Sequence, residues 1–246
     1  MNVTYFRYEL LRLNRNKRFF FFSLAFPLAL YLVIAGSNKS QVIDMGSYSL
    51  KFPLYYMVSM AAYGAMIASI AGGGRIAAER AVGWNRQLRL TPLKVRDYFT
   101  AKVLTAYLMA VISIALLYVA GLLYGVHISP FSRWAEMTGL LLVGLLPFIA
   151  IGVVVGHLLT PDSMGPALGG GATLFGFLGG LWFPLPASGF LHVLAQFIPS
   201  YWLGQAGHVG IGGTGWGARG WLCIAAWTVV MTLVAGWAYR RDTGRV

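Results

Sequence analysis

Residues 75–102 read RIAAERAVGWNRQLRLTPLKVRDYFTAK, and they lie between two long apolar stretches of the chain. This stretch alone holds seven of the 19 Lys and Arg residues. The protein is otherwise poor in charge, with 58% hydrophobic and 11% charged residues, whereas a typical soluble domain has about 25% charged residues. The composition therefore predicts an integral membrane protein in which residues 75–102 lie outside the bilayer.

Six apolar runs have about the 20 residues that a helix needs to cross a bilayer. They are apolar on every side and lack the alternation of barrel strands, so they indicate helices. We predict an all-α, polytopic membrane protein that forms a single transmembrane domain over residues 1–246. The six predicted transmembrane helices cover residues 19–36, 53–72, 103–124, 137–159, 165–182 and 220–239.

The distribution of basic residues predicts the orientation. If the N-terminus is cytoplasmic, 15 of the 19 Lys and Arg residues lie inside, and only Lys39, Lys51, Arg133 and Arg219 lie outside. The positive-inside rule then places both termini in the cytoplasm of a multi-pass plasma-membrane protein. The same clustering accounts for the net charge of +12 through contact with membrane lipids, and it predicts no nucleic-acid partner.

Two segments outside the predicted spans also have patterns typical of helices. Residues 1–18 predict an interfacial helix in which Glu9, Arg12 and Arg15 point away from an apolar side. Residues 183–219 are long for a loop and moderately apolar. They predict a re-entrant helical hairpin on the outer side, between spans five and six.

The start of the basic stretch suggests how its charges are held. We expect the second span to fray through Gly72, Gly73 and Gly74. Glu79 then stands close to the hydrocarbon region, where a carboxylate must be paired or hydrated. Its neighbours in sequence, Arg75 and Arg80, are the predicted partners.

The rest of the stretch predicts a short helix between two hinges. Gly83 provides a turn, and a short amphipathic helix follows around Arg86 and Leu88. Thr91 followed by Pro92 has the pattern of an N-cap and a first helical position, so we expect the next helix to begin there.

These residues resemble a known family. The order Glu79-Arg80-x-x-Gly83, Leu88 and Thr91-Pro92 is similar to the cytoplasmic coupling loop of type 2 ABC transporter permeases, the six-span membrane subunits of bacterial exporters. Phe183-Pro184 after the fifth span and Pro199-Ser200-Tyr201-Trp202 before the sixth are similar to two further elements of that family. Ala81 and Trp84 depart from the residues that many relatives have, which leaves docking in place but bears on partner specificity.

The resemblance implies that residues 73–102 form a coupling segment that docks on a separate ATPase. The chain has no Gly-x-x-x-x-Gly-Lys-Ser/Thr loop, so we expect ATP and Mg to bind to the partner subunit, and this chain to be no enzyme and to hold no cofactor or catalytic residue. The expected partners are two copies of an ABC ATPase subunit and a second permease copy, identical or paralogous, in a bacterial plasma membrane. The predicted ATPase-coupling residues are Arg75, Glu79, Arg80, Gly83, Trp84, Arg86, Leu88, Thr91 and Pro92.

The expected cargo is a hydrophobic or amphipathic small molecule, such as a drug, an antibiotic or a lipid-like compound. The four histidines lack metal-ligand spacing, so no metal site is predicted. The alternative function is a membrane scaffold or assembly factor that does not transport and recruits a soluble partner through its basic loop. The candidate pathway residues are Tyr55, Tyr56, Tyr63, Met66, Phe175, Phe177 and Trp182, and the candidate outer gate is Phe183, Pro184, Pro199 and Tyr201.

Overall fold

The computed structural model describes residues 3–15, 17–44, 49–186, 188–213 and 215–243. The described part of the chain is built of helices, with one short antiparallel hairpin in which Val42 pairs with Lys51. The elements in chain order are α1 (Val3–Arg15), α2 (Lys17–Ser37), β1 (Val42–Asp44), β2 (Ser49–Lys51), α3 (Phe52–Ala81), α4 (Trp84–Arg89), α5 (Val95–Leu123), α6 (Phe131–Gly144), α7 (Leu146–Leu158), α8 (Pro161–Leu178), α9 (Phe190–Ala195), α10 (Pro199–Val209) and α11 (Ala218–Thr243).

Helix α3 is the centre of the bundle. It packs against α2, α5, α7, α8 and α10, and its most apolar window is 89% buried inside the protein. Its 30 residues give a length of about 45 Å at 1.5 Å per residue, which exceeds the roughly 30 Å of hydrocarbon. The helix therefore extends beyond the hydrocarbon region.

The prediction of an all-helical, multi-pass membrane protein is confirmed. Within the described ranges, four helices are long and apolar enough to cross a membrane. They correspond to predicted spans two, three, four and six. The other two predicted spans coincide with α2, whose apolar part is Leu24–Ser37, and with α8. The four helices are Phe52–Ala81, Val95–Leu123, Phe131–Leu158, which combines α6 and α7, and Ala218–Asp242.

The predicted fraying at the end of the second span is wrong, because α3 continues without a break to Ala81. The glycines there allow helices α3 and α7 to approach closely. A Cβ atom at Gly73 would overlap the carbonyl group of Gly152, and a Cβ atom at Gly156 would lie 2.6 Å from the carbonyl oxygen of Gly73. The Gly152-x-x-x-Gly156 pair thus serves packing within the chain.

The segment between α8 and α11 contains two short helices, α9 and α10. Helix α10 packs against α6 and α3, and it contributes buried residues such as Leu203 to the core. In α9, Phe190 and Val193 are exposed. The two predicted helices are therefore present, and their re-entrant placement in a bilayer stays a prediction.

The contact between α3 and α7 predicts that alanine at Gly73 and alanine at the adjacent Gly74 affect the stability of the protein differently. We expect Gly73→Ala to lower the stability by roughly 1–3 kcal/mol, the usual cost of overpacking, since its Cβ would meet backbone atoms that cannot move aside. The measurement is the midpoint of thermal unfolding in detergent micelles.

The matched control is Gly74→Ala. A Cβ atom there would lie 3.7 Å from Met164 Cε, an ordinary contact, and alanine favours the helix by about 1 kcal/mol over glycine. Its midpoint should therefore equal or exceed that of the parent. Equal midpoints for the two variants would show that the close approach of α3 and α7 does not limit stability.

Candidate functional site

The candidate site lies at one end of the bundle, where α3 ends and α5 begins; we call it the basic end. Helix α3 stops at a turn in which Gly83 has φ +70°, a conformation that favours glycine. Helix α4 follows at once. The predicted turn at Gly83 and the predicted short helix are both present.

The prediction that the next helix begins at Thr91 is wrong. Helix α5 begins at Val95, with Lys94 at the N-cap position. The Thr91 hydroxyl instead donates a 2.6 Å hydrogen bond to the carbonyl oxygen of Leu88. It thus adds a side-chain hydrogen bond to a carbonyl near the end of α4, which also accepts one from the Thr91 backbone N–H at 3.1 Å.

Glu79 is the centre of a buried ionic network at the basic end. Its side chain is fully buried, and its Oε1 atom accepts hydrogen bonds from Lys102 Nζ at 2.6 Å and Arg12 Nη1 at 2.9 Å. The hydroxyl of Tyr98 lies 3.5 Å from Oε2. The ion-pair partners of Glu79 thus come from α5 and α1. Of the predicted partners, Arg80 pairs with Asp242 instead, at 2.8 Å. The Arg75 guanidinium donates to Thr105 at 3.4 Å, and it also interacts electrostatically with Glu79.

Lys102 joins Glu79 to a second carboxylate, that of Glu9. Lys102 Nζ lies 2.8 Å from Glu9 Oε1, and the Tyr5 hydroxyl donates to the same oxygen at 3.0 Å. The sequence pattern predicted that Glu9 points away from the apolar side of an interfacial helix, and the structure buries its side chain. Burial by itself would raise the pKa of Glu9, but the adjacent Lys102 ammonium with its hydrogen bond, together with the charge of Arg75 and the Tyr5 hydroxyl, outweighs burial and holds that pKa below its usual value.

This network, made of Glu9, Arg12, Glu79 and Lys102, lies beyond the predicted hydrocarbon limit of α3. Glu79 lies seven positions after Gly72, the predicted end of the span, which corresponds to about 10 Å of helix. The predicted span end thus predicts that the charges sit at the depth of the lipid headgroups, where they cost less than at the bilayer centre.

The surface of the basic end carries apolar side chains next to the network. Leu90 is 90% exposed and Val82 is 71% exposed. Trp84 is also exposed, and the Arg12 guanidinium carbon lies 5.9 Å from the centre of its ring. Thr91 and Pro92 are exposed, and Leu88 is half-buried. The Arg86 side chain lies outside the described part of the structure.

A second ionic cluster lies on another side of α3. Arg80 Nε lies 2.8 Å from Asp242 Oδ2, and His157 Nδ1 lies 3.3 Å from the same oxygen. Arg80 Nη1 also donates to the carbonyl oxygens of Gly156 and Leu159, at 3.1 and 3.2 Å. Arg80 therefore caps the end of α7 and binds the last turn of α11.

The structure places both described ends of the chain at the basic end. Helix α1 reaches it through Glu9 and Arg12, and α11 reaches it through Asp242. The placement of both termini on the cytoplasmic side of the membrane stays a prediction.

Comparison with known proteins decides the family. The family model described as "ABC-2 family transporter protein" matches residues 37–237, which is most of the chain. The chain belongs to the ABC-2 transporter family. It is also 31% identical over 204 residues to the Bacillus subtilis (strain 168) protein named "Putative transport permease YvfS", and the match covers 80% of each chain. The predicted family is thus confirmed, and the ABC-2 chain is a multi-pass membrane transport permease.

The pathway residues that were predicted on α3 are buried within this ABC-2 permease. Tyr55 stacks on His208 with ring centres 4.9 Å apart, and the ring of Tyr63 meets that of Trp182 edge-on at 5.4 Å. Tyr56 and Met66 are buried as well. In the single chain these four α3 side chains contact protein, and their role as a pathway stays a prediction.

The remaining candidates cluster near the end of α8 that is opposite the basic end. Phe177 lies 5.0 Å from Trp182 and 6.0 Å from Phe183, measured between ring centres. Phe175 meets Phe148 edge-on at 5.4 Å. Of the predicted gate residues, Phe183 and Pro184 are exposed, Pro199 is buried as the first residue of α10, and Tyr201 is half-buried.

Five residues of the two ionic clusters were not predicted to form ion pairs: Glu9, Arg12, Lys102, His157 and Asp242. One signal was present for Lys102. Tyr98, Lys102, Thr105 and Met109 follow one another at spacings of four, three and four residues, and all lie on the buried side of α5. A lysine on such a stripe must meet an acid, and the whole chain has only seven acids.

The pairing of Glu79 with Lys102 predicts non-additive costs. We expect Glu79→Gln and Lys102→Met each to lower the free energy of unfolding by roughly 3–5 kcal/mol, because each leaves the other charge buried without its main partner. The double variant should cost less than the sum of the two by more than about 1 kcal/mol. Unfolding in mixed micelles measures all three.

The control is Glu136→Gln, which removes an exposed acid and should change the free energy of unfolding by no more than about 0.5 kcal/mol. Strict additivity of the two network substitutions would show that Glu79 and Lys102 do not interact in the folded protein.

Proposed function

We propose that this chain is the membrane subunit of an ATP-driven exporter, and that residues 73–102 couple the ATPase to the transmembrane helices. The family implies association with an ABC ATPase subunit. The observation that supports coupling is the buried contact of Glu79 with Lys102 and Arg12. It joins the start of the coupling segment to two further helices, so a force on the segment acts on all three.

The coupling segment has the two parts that a transmission element needs. Its exposed part is α4 with the apolar side chains of Trp84 and Leu90, which would lie in a cleft of the ATPase. Its buried part is Glu79. A rigid helix between a turn at Gly83 and a turn at Thr91 moves as one body, and the ATPase would bias its position.

The proposed topology has six spans with the basic end in the cytoplasm. Helix α2 has 21 residues and α8 has 18, which correspond to about 31 and 27 Å of helix. Both ends of the described chain lie at the basic end, so an even number of crossings is required. The excess of Lys and Arg at this end favours the cytoplasmic side.

The proposed cargo is a hydrophobic or amphipathic small molecule. The ring of Trp182 contacts the rings of both Tyr63 and Phe177. These three aromatic side chains would offer such a molecule an apolar surface. The complete transporter would contain two ATPase subunits and a second permease copy, with ATP and Mg bound to the ATPases.

The experiment is purification of the tagged chain from its native membrane, followed by identification of its partner. We expect a subunit with a phosphate-binding loop, and ATPase activity that responds to lipophilic compounds when the complex is in liposomes. A partner without nucleotide-binding motifs would overturn the exporter proposal and would support a membrane scaffold instead.

Leu90 provides a test of the docking surface. We expect Leu90→Asp to weaken assembly with the ATPase at least tenfold, because it places a carboxylate in an apolar contact. The thermal midpoint of the chain itself should not change, since Leu90 is 90% exposed. Leu90→Met, which keeps the size and apolarity of the side chain, should assemble like the parent. Equal assembly of Leu90→Asp and Leu90→Met would place the docking surface elsewhere.

A further inference from the structure

The last turn of α11 is bound to α3 by the cluster of Arg80, His157 and Asp242. Helix α11 packs chiefly along α7, and only 17% of its apolar window is buried in the described chain. Helix α11 is therefore covered by protein on one side only, chiefly by α7. The 2.8 Å pair between Arg80 and Asp242 gives it a direct connection to the end of α3.

The position of this pair relates it to the coupling segment. Arg80 follows Glu79 directly and precedes the turn at Gly83 by three residues. Adjacent residues of a helix point about 100° apart, so Glu79 binds α5 and α1, whereas Arg80 binds α7 and α11. A displacement of the α3 end therefore acts on both groups of helices.

The Asp242 carboxylate is oriented from two sides. Arg80 Nε and His157 Nδ1 lie 2.8 and 3.3 Å from one of its oxygens. The His157 ring is held in turn by the rings of Phe99 and Tyr239, with centres 6.3 and 5.5 Å away. This fixes the geometry with which Asp242 meets Arg80.

The pair contributes little to stability. The side chains of Arg80 and Asp242 are 24% and 21% exposed, and partly exposed pairs are worth about 1 kcal/mol or less. Removing the Asp242 charge should therefore leave the chain folded, and its effect on coupling can be measured separately.

We propose that Asp242 is a positioning residue for coupling, which holds Arg80 so that α11 moves together with the coupling segment. The inference rests on the proposed function, because it assumes that an ATPase moves that segment. It adds α11 to the elements that respond to nucleotide.

The test uses Cys223, the single cysteine in the sequence, which lies on α11 and is partly exposed. The permease–ATPase complex in liposomes is treated with a membrane-permeant maleimide, without nucleotide and after trapping with ATP, Mg and vanadate. We expect the Cys223 labelling rate to differ between the two states by about fivefold or more, in the range of common coupling strengths.

In Asp242→Asn the labelling rates of the two states should become equal. Asp242→Glu, which keeps the carboxylate, should restore the difference. Arg80→Gln removes the same pair from the α3 side and should behave like Asp242→Asn. The control is Arg241→Gln, which changes a charge in the same turn, where Arg241 lies over the Trp237 ring. It should label like the parent.

The possible failures are distinguishable. If the complex assembles and hydrolyses ATP, but Asp242→Asn keeps the nucleotide-dependent difference, the positioning role is wrong. The same holds if the parent complex shows no difference, since α11 then does not move with the segment. If no ATPase assembles with the parent chain, the proposed function itself fails.

Discussion

The buried pair of Glu79 and Lys102 is the interaction on which the organisation of the basic end depends. Burying two charges costs several kcal/mol each unless further hydrogen bonds compensate. Here Lys102 also binds Glu9, and Glu79 also binds Arg12. A pair that is satisfied from three helices is stable only when all three are in place. The network therefore specifies how α1, α3 and α5 are arranged relative to one another.

The opposite side of α3 is held by contacts of a different kind. Close packing of Gly73 against Gly152 brings the backbones of α3 and α7 together without charges. Such a contact tolerates little sliding, because backbone atoms meet directly. Glycine packing and the ionic network thus secure α3 over its last two turns, and α3 transmits a displacement of its end instead of absorbing it.

The sequence was sufficient where a signal is local or depends on composition. Hydropathy located the four helices that are long and apolar enough to cross a membrane, and the need for positive φ located the turn at Gly83. The sequence was insufficient where the partners of a residue come from helices that are distant along the chain. Spacing in sequence suggested Arg75 and Arg80 as partners of Glu79, whereas its ion pairs are made with Lys102 and Arg12, which reach it through tertiary packing.

The prediction that a helix begins at Thr91 was wrong for a related reason. A threonine before a proline fits the start of a helix, but the same hydroxyl can satisfy a carbonyl at the end of the preceding helix. Leu88, in the last turn of α4, lies three residues earlier, and its carbonyl oxygen accepts that hydrogen bond.

The adjacent acid and base at the end of α3 explain why so short a motif can influence a whole bundle. A single ion pair would connect the coupling segment to one neighbour. Because Glu79 and Arg80 carry opposite charges and point in different directions, each recruits partners of the other sign from a separate group of helices. Rotation of the α3 end moves both side chains at once. Each group of contacts is therefore preserved only if the helices that provide its partners move with α3.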